Sequence, residues 1–199
     1  MVIAKQTPQM NRRIFISGTA GTTLVMGLGA VLPGCSNEEA ASDLAAAGAS
    51  KRFSPAVWFE ISGTGAVLIN IAKAEMGQHV GTALARIVAD ELGADWNNVS
   101  IKHVDSDPKW GFMVTGGSWS VLTSFTMLSQ AGAAGRTILL EAGANLLCVE
   151  AAAARVENGN VIAGDQQVSF ARIVAEGDTI RVFTDEEMAA MPVKEPAVG

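Results

Sequence analysis

Apolar and polar positions in the middle of this chain recur with periods that predict short strands and two principal helices. Apolar residues alternate along residues 54–61 and dominate 66–72, with a glycine-containing turn between them, which predicts a β-hairpin. Residues 80–92 carry apolar side chains at helical spacing before Gly93, a residue type that commonly follows helices. A further strand is predicted at 99–104.

The second half of the chain predicts a long helix followed by shorter elements. The helix has a serine N-cap, Ser118 or Ser120, runs to about residue 147, and contains an Ala-Gly-Ala-Ala-Gly run that permits close packing. The remaining predicted elements are a hairpin at 152–156 and 160–163 and a short helix at 169–176. Together these patterns predict an α+β fold in which β-hairpins pack with two helices as one unit at 54–183, followed by a tail at 184–199.

The N-terminal region predicts an export signal. Paired arginines, Arg12 and Arg13, precede an uncharged, mostly apolar run at 18–33, and this layout resembles a twin-arginine signal. The run is shorter than the roughly 20 apolar residues of a spanning helix. We therefore expect a removed signal at 1–35, a tether at 36–53, and a periplasmic protein. Because this route carries proteins already folded around complex cofactors, it favours a redox cofactor.

Cys35 is a lipidation candidate. It ends the sequence Leu-Pro-Gly-Cys, which resembles a lipobox. Two outcomes remain open: lipidation of Cys35, which would anchor the protein to the membrane, and cleavage by signal peptidase nearby without lipidation.

The composition excludes several classes of function. The 199 residues carry a net charge of -6, and no cluster of Lys and Arg follows Arg12 and Arg13, so nucleic acid is excluded as a partner. Cys35 and Cys148 are too isolated in sequence to indicate a disulfide framework or a metal-ligand set. No H-x-x-x-H, C-x-x-C or Ser-His-Asp grouping is present, so no catalytic residue is assigned.

Two glycine-containing loops, each directly before a helix, are the candidate ligand-binding features. Gly77, Gln78 and His79 precede the first helix, and the run T-G-G-S-W-S at 115–120 leads into the second. Helix N-termini present N–H groups and a positive dipole end, so two such loops meeting at one point would hold a large anionic cofactor. For Gly77, Gln78 and His79 an ordinary strand-to-helix turn is the alternative.

The run AEMGQHVGTALARIVADELGADWNNVSI, followed by TGGSWSV and AGAAGR, resembles the molybdenum hydroxylases of the xanthine dehydrogenase superfamily. It looks most like the large subunit of the isoquinoline 1-oxidoreductase and membrane-bound aldehyde dehydrogenase group. The similarity covers residues 55–177, and the twin-arginine leader fits the same group.

This resemblance implies a cofactor and a reaction. In the family these loops contact molybdopterin, usually as its cytosine dinucleotide, and the enzymes oxidise aldehydes or N-heterocycles with water as the oxygen source. Carried over residue by residue, the expected cofactor-binding residues are Gly77, Gln78, His79, Thr115, Gly116, Gly117, Ser118 and Ser120. His79 replaces the usual glycine and Leu122 a frequent arginine, which predicts restricted backbone approach and one weaker polar contact.

The resemblance also implies partners, because family large subunits are several times longer. Their catalytic glutamate and most of the substrate pocket lie in later regions, and the cysteine motifs of their iron–sulfur small subunit are absent here. We therefore expect the cofactor to be shared with a partner chain, the remaining large-subunit polypeptide, beside an iron–sulfur small subunit. Catalysis is expected only in that complex. A non-catalytic accessory subunit and a truncated remnant that has lost the cofactor remain open alternatives.

Overall fold

The computed structural model describes residues 51–194. The predicted signal, Cys35 and the predicted tether as far as residue 50 lie outside the described residues, as do residues 195–199. The described strands and helices are β1 (Arg52–Ala56), β2 (Phe59–Ser62), β3 (Val67–Ile71), α1 (Val80–Leu92), β4 (Val99–His103), α2 (Trp119–Leu146), β5 (Arg155–Glu157), β6 (Asn160–Ala163), β7 (Gln166–Ser169), α3 (Phe170–Glu176) and α4 (Asp185–Ala189).

The larger sheet has the order β1-β2-β3-β4. The pairs β1–β2 and β2–β3 are antiparallel, and β4 pairs with β3 in parallel, with Val67 opposite Val99 and Ile71 opposite His103. Parallel neighbours need a crossover connection, and α1 supplies it. The ends of β3 and β4 therefore meet at one edge of the sheet, where the loop that leads into α1 begins.

The core lies between this sheet and the helix pair α1 and α2. Phe59, Ile61, Ile69 and Leu92 have no exposed surface. The alternation predicted for β2 and β3 places these apolar side chains inward, and their hairpin is confirmed by the antiparallel pairing. Burial of this apolar surface is the main source of stability for the unit.

Glycines in α2 allow the helices and sheet to approach closely. An added Cβ at Gly132 would lie 2.9 Å from the Val88 carbonyl oxygen, and one at Gly135 would lie 2.5 Å from Phe59 Cζ. Both distances are well inside van der Waals contact. The close packing predicted for the Ala-Gly-Ala-Ala-Gly run is thus confirmed.

The prediction of a single strand at 54–61 was wrong. The segment is divided between β1 and β2, which reverse direction through Val57 and Trp58 and bring Ala56 opposite Phe59. Trp58 is buried although it lies in the turn. The apolar pattern therefore continues through the turn, so periodicity alone does not show that the chain reverses there.

The caps of two helices differ in their chemistry. Ser169 caps α3 as predicted, since its hydroxyl accepts the Arg172 N–H. Ser118 occupies the N-cap position of α2, but its backbone is left-handed at φ 60° and its side chain makes no capping bond. Ser118 is one of the two residues predicted as the cap, but the predicted capping by its hydroxyl is not found.

The C-terminal part adds a small sheet and a short helix. Strands β5, β6 and β7 form an antiparallel sheet, of which β7 was not predicted. Helix α4 lies within the predicted tail, and the Glu91 carboxylate of α1 accepts the Lys194 N–H at 2.9 and 3.0 Å. Strand β1 likewise begins inside the predicted tether. In the described part of the chain, no helix combines the length and apolarity that crossing a membrane requires.

Candidate functional site

The two candidate loops lie side by side. The Ala74 N–H donates to Thr115 Oγ1 at 2.8 Å, and the Lys73 ammonium donates to the carbonyl oxygens of Phe112 and Val114 at 2.8 and 3.2 Å. These bonds join segments 39 to 41 residues apart in sequence. The structure therefore brings the loop before α1 and the loop before α2 into one surface region.

Lys73 is a buried tie between these loops. It is 5% exposed, and its ammonium lies 4.7 Å from the centre of the Phe112 ring. Burial lowers the pKa of Lys73. Among the ion pairs of residues 51–194 none involves Lys73, so carbonyl oxygens and an aromatic face solvate the charge. Sequence reasoning missed this role because one lysine after a strand belongs to no motif.

Glu75 caps the N-terminus of α1. Its Oε1 accepts the N–H groups of Gly77 and His79, both at 2.9 Å, and its Oε2 accepts that of Gly81 at 3.2 Å. Desolvation raises the pKa of the Glu75 carboxyl, but these three backbone bonds, with the charge of His79, outweigh it and lower the pKa. The helix end that was predicted to attract an anion therefore already has one from its own chain.

Gln78 holds the shape of the first loop. Its amide oxygen accepts the Met76 N–H at 2.6 Å, and its amide nitrogen donates to the Ala74 carbonyl at 2.8 Å. Gly77 has φ +90° and open space where a Cβ would be. The amide oxygen of Gln78 keeps a second lone pair and its nitrogen a second hydrogen, so the residue can stabilise the loop and still contact a ligand.

Two histidines lie at this edge of the sheet. His79 is the N-cap of α1 with a left-handed backbone at φ 59°, a conformation that glycine adopts without cost. His103, which sequence reasoning did not select, lies with Nδ1 3.3 Å from the Lys73 carbonyl oxygen. Its Nε2 would be 2.8 Å from a Cβ at Gly81. The lack of a side chain at Gly81 thus makes room for the imidazole ring.

The second loop leaves the N-terminus of α2 accessible. Gly117 and Ser118 both have left-handed backbones, at φ 56° and 60°. Nothing lies within 4 Å of a Cβ position at Gly116, and no side chain caps the helix. The Ser118 hydroxyl is exposed and that of Ser120 belongs to a half-buried residue. The Trp119 N–H donates to the Gly116 carbonyl at 3.1 Å, whereas these hydroxyls and the N–H group of Ser120 can donate to a ligand.

An anionic group fits the second loop better than the first. At the first loop the Glu75 carboxylate takes three N–H groups and would repel a phosphate. At the second, Ser118 and Ser120 offer hydroxyls around a glycine with no side chain to block approach. Residues 51–194 contain no group of three or more His, Cys, Asp or Glu side chains able to hold a metal ion.

Comparison with known proteins gives one family and several relatives. A family model described as a molybdopterin cofactor-binding domain matches residues 15–193. The chain is 44% identical over 190 residues to a membrane-bound aldehyde dehydrogenase (pyrroloquinoline-quinone) of Gluconacetobacter polyoxogenes, covering 96% of this chain and 24% of the relative. It is 30% identical over 164 residues to isoquinoline 1-oxidoreductase subunit beta of Brevundimonas diminuta, covering 79% and 20%.

Among solved structures, quinoline 2-oxidoreductase from Pseudomonas putida 86 matches with a TM-score of 0.46 and 22% identity. The match covers 59% of this chain and 15% of that one. The chain thus spans no more than 24% of the length of the two curated relatives.

Proposed function

The chain belongs to the molybdopterin cofactor-binding domain family, and we propose that it is the cofactor-binding portion of an exported molybdenum hydroxylase oxidising aldehydes or N-heterocycles. The resemblance stated from the loop motifs and the α+β fold class are confirmed. The names of the two curated relatives, an aldehyde dehydrogenase and an isoquinoline oxidoreductase, support this choice of substrates. We further propose the cytosine dinucleotide form of the cofactor, because its additional phosphate suits a polar glycine loop.

The observation that carries this proposal is the joining of the two loops beside an accessible helix N-terminus. The Ala74–Thr115 bond and the buried Lys73 fix the second loop against the end of β3. Ser118 and Ser120 would then donate to the phosphate and pterin region, while Gly116 and Gly117 let the backbone come close. When bound, molybdopterin supplies a molybdenum centre that accepts two electrons. The residues of this chain bind and orient the cofactor.

The first loop has a different part in this proposal. Glu75 and Gln78 rigidify it, so that Gly77 presents an exposed backbone without further ordering. His79 keeps the left-handed conformation that a glycine would adopt, so the backbone path is preserved and only the imidazole is added. If approach of the cofactor is restricted at His79, the imidazole side chain causes it and not a change in the backbone path of the loop.

The proposed complex contains more protein than this chain. It includes a remaining large-subunit polypeptide, which supplies the catalytic glutamate and substrate pocket, and an iron–sulfur small subunit that removes electrons. We propose export to the periplasm by the twin-arginine route, with membrane attachment through Cys35 if that residue is lipidated. The leader of the sequence supports this location.

A non-catalytic accessory subunit or remnant without the cofactor is the second candidate. The Glu75 carboxylate favours it, because it occupies the N–H groups that a phosphate at α1 would use. This candidate predicts a stable protein that contains no pterin.

The decisive experiment isolates the tagged full chain gently from its native host, identifies co-purifying polypeptides, and assays molybdenum and released CMP. About one molybdenum and one CMP per complex supports the proposal, whereas a folded complex free of both overturns it. Ser118→Gly sharpens the test, since glycine keeps the left-handed backbone and removes the hydroxymethyl side chain. We expect less bound CMP in Ser118→Gly and unchanged CMP in the control Ser100→Ala, which alters a strand serine instead.

A further inference from the structure

The outward face of the first turns of α2 is apolar. Trp119, Leu122 and Phe125 are 57%, 76% and 37% exposed. They follow at three-residue spacing and therefore form a stripe along one side of the helix. Ser124 is buried against the core, and Leu128, one turn beyond the stripe, is buried as well. The exposed stripe is thus additional to the apolar surface that this chain uses to fold.

This stripe belongs to a long uncharged stretch. No Asp, Glu, Lys or Arg occurs in residues 118–135. A helix that faces solvent ordinarily carries charged residues opposite its buried stripe. Exposed apolar residues of the preceding loop extend the surface, and we define the α2 apolar face as Phe112, Val114, Trp119, Val121, Leu122 and Phe125. Clusters of exposed apolar residues commonly mark interaction sites.

We propose that the α2 apolar face is the docking surface for the remaining large-subunit polypeptide, an inference that rests on the proposed function. The aldehyde dehydrogenase relative is matched over 24% of its length, and the proposed function assigns the rest of the large subunit to a partner polypeptide. A permanent partner of this kind presents a largely apolar surface. The uncharged, apolar face of α2 is complementary to such a surface.

The position of the face favours this occupant over a second copy. Trp119 directly follows Ser118, and its ring lies 3.7 Å from a Cβ position at Gly117. A protein seated on Trp119 therefore also covers the loop proposed to hold the cofactor. The remaining polypeptide would complete the cofactor site in this way, whereas a second copy would bring an identical loop and none of the missing residues.

A lipid surface is a poorer match to the face. Helices that lie on membranes carry Lys and Arg beside their apolar stripe. The first basic residue of α2 is Arg136, whose guanidinium is engaged by Glu91 at 3.8 Å and by the Pro192 carbonyl. Membrane binding by this face therefore lacks the electrostatic contribution that such helices use.

The test measures binding of the full chain to the part of the Gluconacetobacter polyoxogenes dehydrogenase outside the matched 190 residues, produced together with it. Leu122→Glu places a charge at the centre of the face. Ile180→Glu is the matched control, because Ile180 is 87% exposed and adjoins Arg181, the ion-pair partner of Glu141 in the later turns of α2. Glu141 lies roughly 30 Å along the helix from Trp119 at 1.5 Å per residue.

We expect wild type and Ile180→Glu to bind equally and Leu122→Glu to bind at least about tenfold more weakly. Circular dichroism and thermal unfolding of both variants should match wild type, since both side chains are exposed. Equal binding by Leu122→Glu would overturn the docking surface and leave the proposed function standing. Conversely, a molybdenum-free complex that depends on Leu122 would uphold the surface and refute the cofactor proposal.

Two other results would assign the face differently and overturn the inference. The first is self-association of the wild-type chain that Leu122→Glu abolishes, with no binding of the dehydrogenase segment. The second is co-sedimentation of the wild-type chain with phosphatidylcholine and phosphatidylglycerol vesicles, abolished in the same variant. Absence of every form of binding by wild type would overturn both the docking surface and the divided subunit.

Discussion

Substituting Gly135 tests whether α2 packs closely against the sheet because this position has no side chain. A Cβ there would lie 2.5 Å from Phe59 Cζ and 3.0 Å from Leu92 Cδ1. Neither neighbour has exposed surface, and Phe59 also packs edge-on against Phe53 with ring centres 6.3 Å apart. The new methyl group in Gly135→Ala therefore has no open space to occupy.

The size of the effect follows from two opposing contributions. Carbon atoms in contact normally lie about 3.5–4.0 Å apart, so Phe59 would have to retreat by about 1 Å and Leu92 by about 0.5 Å. Overpacking of this kind costs about 1–3 kcal/mol. Alanine recovers about 1 kcal/mol of helix propensity relative to glycine. Because both neighbours are fully enclosed, we expect Gly135→Ala to lower the free energy of unfolding by about 1–2 kcal/mol.

Urea denaturation of the full chain measures this change. Thr126→Ala is the control in the same helix, since Thr126 is exposed and alanine should stabilise it by about 0.5 kcal/mol. Adding Phe59→Leu to Gly135→Ala makes room for the methyl group, so the double variant should be more stable than additivity predicts by about 1 kcal/mol. A Gly135→Ala chain as stable as wild type, with no such coupling, would refute the packing argument.

Three further predictions concern the candidate loops. His79→Gly should raise the free energy of unfolding by up to about 1 kcal/mol, because glycine adopts φ 59° freely. His79→Ala should not raise it. Equal changes in the two variants would contradict the left-handed cap. Because the pKa of Glu75 is lowered in the folded chain, its stabilisation is present above its ordinary value of 4.5 and is lost as the pH falls through the lowered pKa. The difference in Tm between wild type and Glu75→Gln should therefore shrink from pH 7 towards pH 3, and a constant difference would contradict the capping role. Gly116→Ala places a methyl group in open space, so it should leave Tm unchanged and reduce the molybdenum content of the purified complex, an effect that Ser100→Ala should lack.

Helices whose apolar residues recur at a regular spacing were predictable from the sequence. Helix α1 begins and ends where its apolar spacing and Gly93 indicate, and α2 extends from the predicted serine to within one residue of the predicted end. Strands were predicted less well, because they depend on partners distant in sequence. The turn at Trp58 interrupts no pattern, and β7 is too short to show one.

The candidate site was predictable as a pair of loops but not as a network. Glycine before a helix identified both segments, and their resemblance to a family indicated molybdopterin as the candidate ligand. The roles of Glu75 and Lys73 depend on distances between backbone groups that only the folded chain defines. A carboxylate two residues before Gly77 was the available signal, since Glu and Asp are common near helix N-termini.

The bond from Lys194 to Glu91 has a consequence for the order of events during synthesis. Its two ends are 103 residues apart, so most of the domain has left the ribosome before the acceptor at Glu91 can be satisfied. Until then Arg136, at 3.8 Å, is the one side chain among residues 51–194 that compensates this buried carboxylate. Helix packing can therefore begin early in translation, but it reaches its full strength only when the last residues of the unit arrive. A nascent chain stalled before Met191 should be far more sensitive to protease than the released protein, even though both principal helices are already synthesised.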